Sequence, residues 1–259
     1  MVHYDIFGAS GEDAPTIILS SGLGGSGAYW TPQIEALSEH FRVITYDHLG
    51  TGRSPGDVPE QGGIAAMADD VLELAEELGL KTFSFMGHAL GGLIGLEIAA
   101  RQPEMIDRLV LINAWDNADP HSGRCFDVRI ALLKNSGVPA FVKAQPLFLY
   151  PAVWMSENAE RMNAEEAHAA AHFQGEQNIM RRIAALRSFD IGDRLAEITH
   201  QTLLVATKDD LLVPYTRSVR LSNMMPNAEL ALLDFGAHAV NIVDAPKFNK
   251  LVVDFLSRV

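Results

Sequence analysis

The sequence predicts an α/β protein, a mostly parallel sheet with helices on both faces, and three observations predict it. Apolar, β-branched segments alternate with segments of helical period over most of the chain. Two of the apolar segments run into glycine-rich turns, Gly22-Leu23-Gly24-Gly25-Ser26-Gly27 and Gly87-His88-Ala89-Leu90-Gly91-Gly92. The 259 residues, 48% hydrophobic and 20% charged, suffice for one large core without covalent staples.

In chain order, residues 2–7 fit an antiparallel edge strand, and TIILS (16–20), FRVITYD (41–47), TFSFM (82–86) and RLVLIN (108–113) fit buried parallel strands. A helix is expected over 64–78, where Ile64, Met67, Val71, Leu74, Ala75 and Leu78 share one face and Gly79 stops the run. A second is expected over 93–102. The alternation then fails for roughly 80 residues, to about position 193, which carry helical patterns and no strand. This stretch is read as a helical cap, 114–193, over a single-domain core of 1–113 and 194–259. Strands resume at 201–206 (QTLLVA) and 228–234 (AELALLD).

Charge and cysteine usage exclude several function classes. With 20 Lys+Arg against 33 Asp+Glu, the net charge of −13 repels nucleic acid backbones and anionic membranes. The one cysteine, Cys125, cannot form an intrachain disulfide and rules out any zinc site needing two or more cysteines. Residues 1–5 show neither a basic nor an apolar leader, and the most apolar stretch, 83–100, is broken by His88 and Glu97. A cytoplasmic location is the expectation.

Residues 22–27 satisfy G-x-G-x-x-G, and Asp47 follows about twenty residues later, as in a dinucleotide site. Such a loop can equally face a reaction oxyanion, because glycines let backbone N–H groups approach any negative group. The next helix begins only near Thr31-Pro32, which disfavours the nucleotide. The turn at 87–92 would be a nucleophile elbow, G-x-S-x-G, were Ala89 a serine. Downstream, Lys208-Asp209-Asp210-Leu211-Leu212-Val213-Pro214 and Phe235-Gly236-Ala237-His238 each follow a strand, giving the order nucleophile position, acid, histidine.

With SSGLGGSG, DHLGTGRS (47–54), the elbow, DDLLVP and FGAHA in place, the sequence resembles the α/β-hydrolase superfamily. The serine-free GHALGG together with RCFDVR (124–129), QPLFLYPAVWM (145–155) and AHFQG (171–175) resembles one bacterial branch of it, acting in the Rut pathway of pyrimidine breakdown. Because GHALGG belongs to that resemblance, Ala89 is read as native. The resemblance implies an α/β-hydrolase fold of about eight strands with the cap after strand 108–113. It also implies a cofactor-free hydrolase taking carbamate to ammonia and carbon dioxide, or 3-aminoacrylate to malonic semialdehyde and ammonia. Family spacing, four residues before Pro214, selects Asp210, leaving Asp209 as a solvated loop acid.

Without an Oγ at Ala89 no acyl-enzyme forms there, so His238, oriented by Asp210, is expected to activate water. Backbone N–H groups of Leu23 and Leu90 are the expected oxyanion hole. For a carboxylate, Arg124 or Arg129 is the candidate cation, with salt bridging the alternative reading; Trp30, Trp115, Tyr150 and Trp154 either wall a pocket or pack the core. His88 is expected to hydrogen-bond behind the turn, Ser20 and Ser21 to support loops, and Cys125 to fill space, having no histidine partner in sequence reach. His168 and His172 are four apart on a helix, but with no third ligand placed no metal is expected. The expected partner is a small-molecule substrate, with no nucleic acid or membrane, and a homodimer is compatible with the sequence. The competing functions are a silent scaffold that binds a small acid or a protein, and a cofactor-free lyase or oxygenase.

Overall fold

Seven strands hydrogen-bond into one sheet in the order β1-β3-β2-β4-β5-β6-β7. They are β1 (Tyr4–Gly8), β2 (Thr16–Ser20), β3 (Arg42–Tyr46), β4 (Phe83–His88), β5 (Ile106–Ile112), β6 (Gln201–Thr207) and β7 (Ala228–Leu233). In this computed structural model, residues 1–9 and 14–258 are described. Only β1 is antiparallel, pairing Tyr4 with Tyr46 through Gly8 with Arg42. Each segment expected as a strand is one. The sheet has seven strands rather than about eight, because no further segment among the described residues pairs into it.

The middle strands are buried along their whole length, which is why they read as continuous apolar runs. Ile17, Leu19, Val43, Met86, Val110 and Val205 face one helical layer, with Phe248, Val252 and Phe255. Ile18, Ile44, Phe85, Leu109 and Leu204 face the other. Three helices serve the first half: α1 (Thr31–Ser38), α2 (Gly63–Glu77) and α3 (Leu90–Arg101). The buried side of α2 is Ile64, Met67, Val71, Leu74 and Ala75, the face expected from the sequence, and Gly79 beyond it takes φ 65°. Helix α3 starts three residues earlier than its apolar pattern suggests. Gly91 and Gly92 are poor helix formers, but close packing admits nothing larger there: a Cβ on Gly91 would lie 2.0 Å from Ser20 O.

Between β5 and β6 the chain forms α4 (Pro120–Leu149), α5 (Ala152–Glu157), α6 (Ala159–Ala171) and α7 (Glu176–Ser188). Helix α4 bends at Gly137, whose φ of 79° only glycine adopts without strain. The core closes with α8 (Thr216–Met224), α9 (Val240–Val243) and α10 (Ala245–Leu256). No described helix is long and apolar enough to cross a membrane.

One buried acid ties the helical insertion to the core where the chain leaves and returns. Asp116, 0% exposed, accepts from Arg217 Nη2 at 2.8 Å and Arg220 Nε at 2.6 Å, while its carbonyl accepts from Ile191 N at 3.0 Å. Asp116→Ala would leave Arg217 without a counter-ion in a half-buried place, held only by Asn117. It is expected to cost about 3 kcal/mol, read as a lower urea midpoint at unchanged slope.

Candidate active site

The strand order reverses beside β2, which pairs with β3 on one side and β4 on the other. Loops leaving the carboxyl ends of strands diverge at such a point, and ligand clefts form there. Here the glycine loop after β2 and the elbow after β4 meet, with Ser20 paired to Gly87.

Ala89 sits at the tip of the elbow with φ 47° and ψ −108°, a strained conformation for a residue with a side chain. Contacts on every side hold it. Its N–H donates to Ile112 O at 2.8 Å, and a Cβ on Gly87 would lie 2.2 Å from Gly91 O. Leu90 is the first residue of α3, so its N–H has no acceptor within the helix and stands at the positive end of the helix dipole.

His238 and Asp210 come together from the loops after β7 and β6. Nδ1 of His238 donates to Asp210 Oδ2 at 2.8 Å, and the two side chains are 3% and 1% exposed. The other oxygen, Oδ1, accepts from the N–H groups of Leu212 at 2.7 Å and Val213 at 2.9 Å, which fixes the carboxylate's orientation. Nε2 of His238 is left for the cavity that the residue lines. The backbone of the histidine loop is pinned as well: His238 O accepts from Asn113 Nδ2 and from His88 Nε2, both at 2.8 Å, and Ala237 O accepts from Thr207 Oγ1 at 2.7 Å. Asn113 and Ala237, each with φ 50°, store strain beside that of Ala89. His88 is where the sequence reading put it, behind the turn. Burial, reinforced by neighbouring His238, holds its imidazole well below the usual histidine range, and its Nδ1 has no partner.

Asp209 is the exposed loop acid the sequence suggests, with a role the sequence does not show. It accepts from Ala237 N at 2.8 Å and Gly236 N at 3.3 Å and so braces the histidine loop.

A cavity of about 700 Å³ opens between the elbow and the insertion, lined by Leu23, Ala89, Leu90, Trp115, Arg129, Tyr150 and His238. Of the two candidate arginines only Arg129 reaches it. Arg124 is exposed and outside the lining, because five residues along α4 turn a side chain through about 140° from its neighbour's direction. Trp115 and Tyr150 line the cavity, with the Tyr150 hydroxyl donating to Glu165 Oε2 at 2.9 Å. Trp154 stacks on Tyr150 with centroids 4.8 Å apart, and Trp30 packs in the core between sheet and helices.

Comparison with known proteins agrees with this geometry. A family model for the alpha/beta hydrolase fold matches residues 15–144. A protein of Rhizobium rhizogenes named "Putative carbamate hydrolase RutD" is 69% identical over 98% of this chain and 97% of its own. One of Agrobacterium fabrum with the same name is 68% identical over 98% of each. This chain belongs to the RutD family of α/β-hydrolases. Among solved structures, the enol-lactonase of Burkholderia xenovorans superposes with a TM-score of 0.90 at 28% identity, covering 99% of this chain and 96% of that one.

In this RutD-family chain the glycine loop is not built for a dinucleotide. Asp47, 3% exposed, holds Gly27 N on Oδ1 at 2.8 Å and Arg53 N on Oδ2 at 3.0 Å, so it is buried as a brace between loops and does not present its carboxylate to a ribose. Sequence reasoning missed what holds the loop from above. Arg182, fully buried in α7, donates to Leu23 O at 3.3 Å, to Leu49 O at 2.8 Å and to Gln174 Oε1, and burial lowers its guanidinium to about 10. Gln174 also reaches Leu23 O and Gly24 O, and Asn178 bonds Val58 N and Gly50 O. The Gly22 carbonyl accepts from Gly25 N at 3.0 Å, which fixes the peptide plane carrying the Leu23 N–H.

Cys125 does have a histidine within reach, one turn back on α4: His121 Nε2 is 3.6 Å from Sγ. That nitrogen already donates to Leu211 O at 2.6 Å, so it cannot take the thiol proton, and burial pushes the thiol up. His168 and His172 stack at 4.2 Å, with His172 Nδ1 donating to His168 O, and the described residues offer no third ligand beside them.

Proposed function

We propose that this chain is a Rut-pathway hydrolase acting on C–N bonds, which releases ammonia from carbamate or from 3-aminoacrylate by water that His238 activates. One observation carries the reading: a buried His238–Asp210 pair at 2.8 Å on a cavity wall whose elbow, Ala89, has no nucleophilic atom. The RutD relatives, named for carbamate hydrolysis, support the reaction class.

Water beside the Ala89 methyl gives a proton to His238 Nε2 while its oxygen bonds to the electrophilic carbon. For 3-aminoacrylate that carbon is C3. A proton from solvent at C2 and addition of water at C3 give a carbinolamine; return of the proton from His238 to nitrogen expels ammonia, and the hydroxyl proton passes back to solvent to leave malonic semialdehyde. For carbamate that carbon is the carboxyl carbon, and the same proton, delivered to nitrogen, lets the C–N bond break to ammonia and bicarbonate, which equilibrates with carbon dioxide. Asp210 keeps the imidazole in the tautomer with Nε2 free, and the Leu23 and Leu90 N–H groups hold negative charge as it develops on oxygen.

The test is ammonia release from freshly generated carbamate and 3-aminoacrylate, with and without protein. Acceleration of either supports the reading, and the faster one names the substrate; rates equal to buffer on both would sink it.

A further inference from the structure

Arg129 is a buried cation without an anion. It is 4% exposed, and its side-chain partner is the neutral amide of Gln145, whose own Nε2 is tied to Phe141 O at 2.9 Å. Its Nε has no partner, and no carboxylate among the described residues pairs with it. The guanidinium lies over three rings instead, 5.8 Å from Phe126, 5.8 Å from Phe141 and 5.5 Å from Phe148. Such rings favour a cation, but they do not replace the hydrogen bonds it lost with water. A charge buried in this way is strongly unfavourable unless something pairs with it. Arg129 faces the cavity that His238 also faces.

Size is the second observation. Carbamate has four heavy atoms and needs roughly 120 Å³, taking about 30 Å³ for each. The cavity offers about 700 Å³. Much of the remaining wall is apolar: Phe126, Val142, Leu149, Leu186, Leu212 and Ile242. A guanidinium fork amid such walls matches a molecule with one carboxylate and an apolar body.

We propose that the cavity is a binding site for monocarboxylates larger than carbamate, with the carboxylate gripped by Arg129 and the apolar body against Phe126, Val142, Leu149 and Leu186. The reacting end of such a substrate rests on the His238 chemistry proposed above, whereas the recognition does not. The substrate class of the enzyme is then amphipathic acids carrying a hydrolysable C–N group, of which 3-aminoacrylate is a short member.

Binding of acetate, butyrate, hexanoate and hexanamide, followed by calorimetry and by the fluorescence of Trp115 in the cavity wall, tests this without turnover. Affinity is expected to rise roughly fourfold per added methylene. Hexanamide should bind at least tenfold more weakly than hexanoate, about the worth of a charge-assisted hydrogen bond. Arg129→Gln should bring hexanoate down to the level of hexanamide and leave hexanamide unchanged, with Arg129→Lys in between. Equal binding of acid and amide by the wild-type protein overturns the proposal even if neither variant folds. So does a flat response to chain length, or full hexanoate affinity in a folded Arg129→Gln. Because the readout is binding, absence of ammonia release in the earlier assay would leave these outcomes unmoved, and loss of hexanoate binding with ammonia release intact would overturn this proposal alone.

Discussion

Ala89→Ser is expected to give the chain a serine-dependent esterase activity. The strained backbone that presents a nucleophile is already in place, with φ 47° at Ala89, and the histidine and acid are already paired at 2.8 Å. What is absent is one oxygen atom. Adding it creates a serine whose proton His238 can take, converting direct attack by water into acyl transfer. Hydrolysis of p-nitrophenyl acetate should rise on the order of 10²- to 10³-fold over the wild type. A burst of p-nitrophenol and an acetylated protein in the intact mass should accompany it. A folded Ala89→Ser protein with neither would mean that His238 Nε2 is not aimed at the elbow.

The second large effect is on stability. Gly91→Ala places a Cβ 2.0 Å from the carbonyl oxygen of Ser20, a main-chain atom in the middle of the sheet. A flexible side chain could move aside, but a strand carbonyl cannot, so α3 must lift away from β2 and β4. A loss of about 4 kcal/mol is expected, seen as a large drop in the thermal midpoint or as failure to accumulate soluble protein. Gly24→Ala, in the same family of glycine turns but with nothing within 4 Å, is the control and should be close to neutral.

Much of this architecture was legible because buried parallel strands are continuous apolar runs and because tight turns demand glycine. The acid-to-histidine order was legible for the same reason, since each residue follows a strand end. The bracing role of Asp209 was not legible because its bonds go to backbone N–H groups of a loop that only the fold brings near. The choice between Arg124 and Arg129 depended on the rotational phase of α4, which pairwise spacing does not give without knowing which face is buried. The polar contacts of α7 with the glycine loop, through Arg182, and with residues 50–58, through Asn178, left a signal that went unused: the two are four apart on the same helical face as Ile179, Ile183 and Leu186, all of them buried. Polar residues on the apolar face of a helix announce buried hydrogen bonds, though not to which loop.

The central claim is that His238 acts on water in a site without a covalent nucleophile. Initial rates of ammonia release from 3-aminoacrylate by the wild-type protein and by His238→Ala, at equal concentration and corrected for buffer, test it most directly. The account predicts that the wild type exceeds buffer, that His238→Ala falls to the buffer rate while still folded, and that rapid quenching during turnover finds no mass added to the wild-type chain. A His238→Ala protein as active as the wild type, or a substrate fragment bonded to the chain, would contradict it.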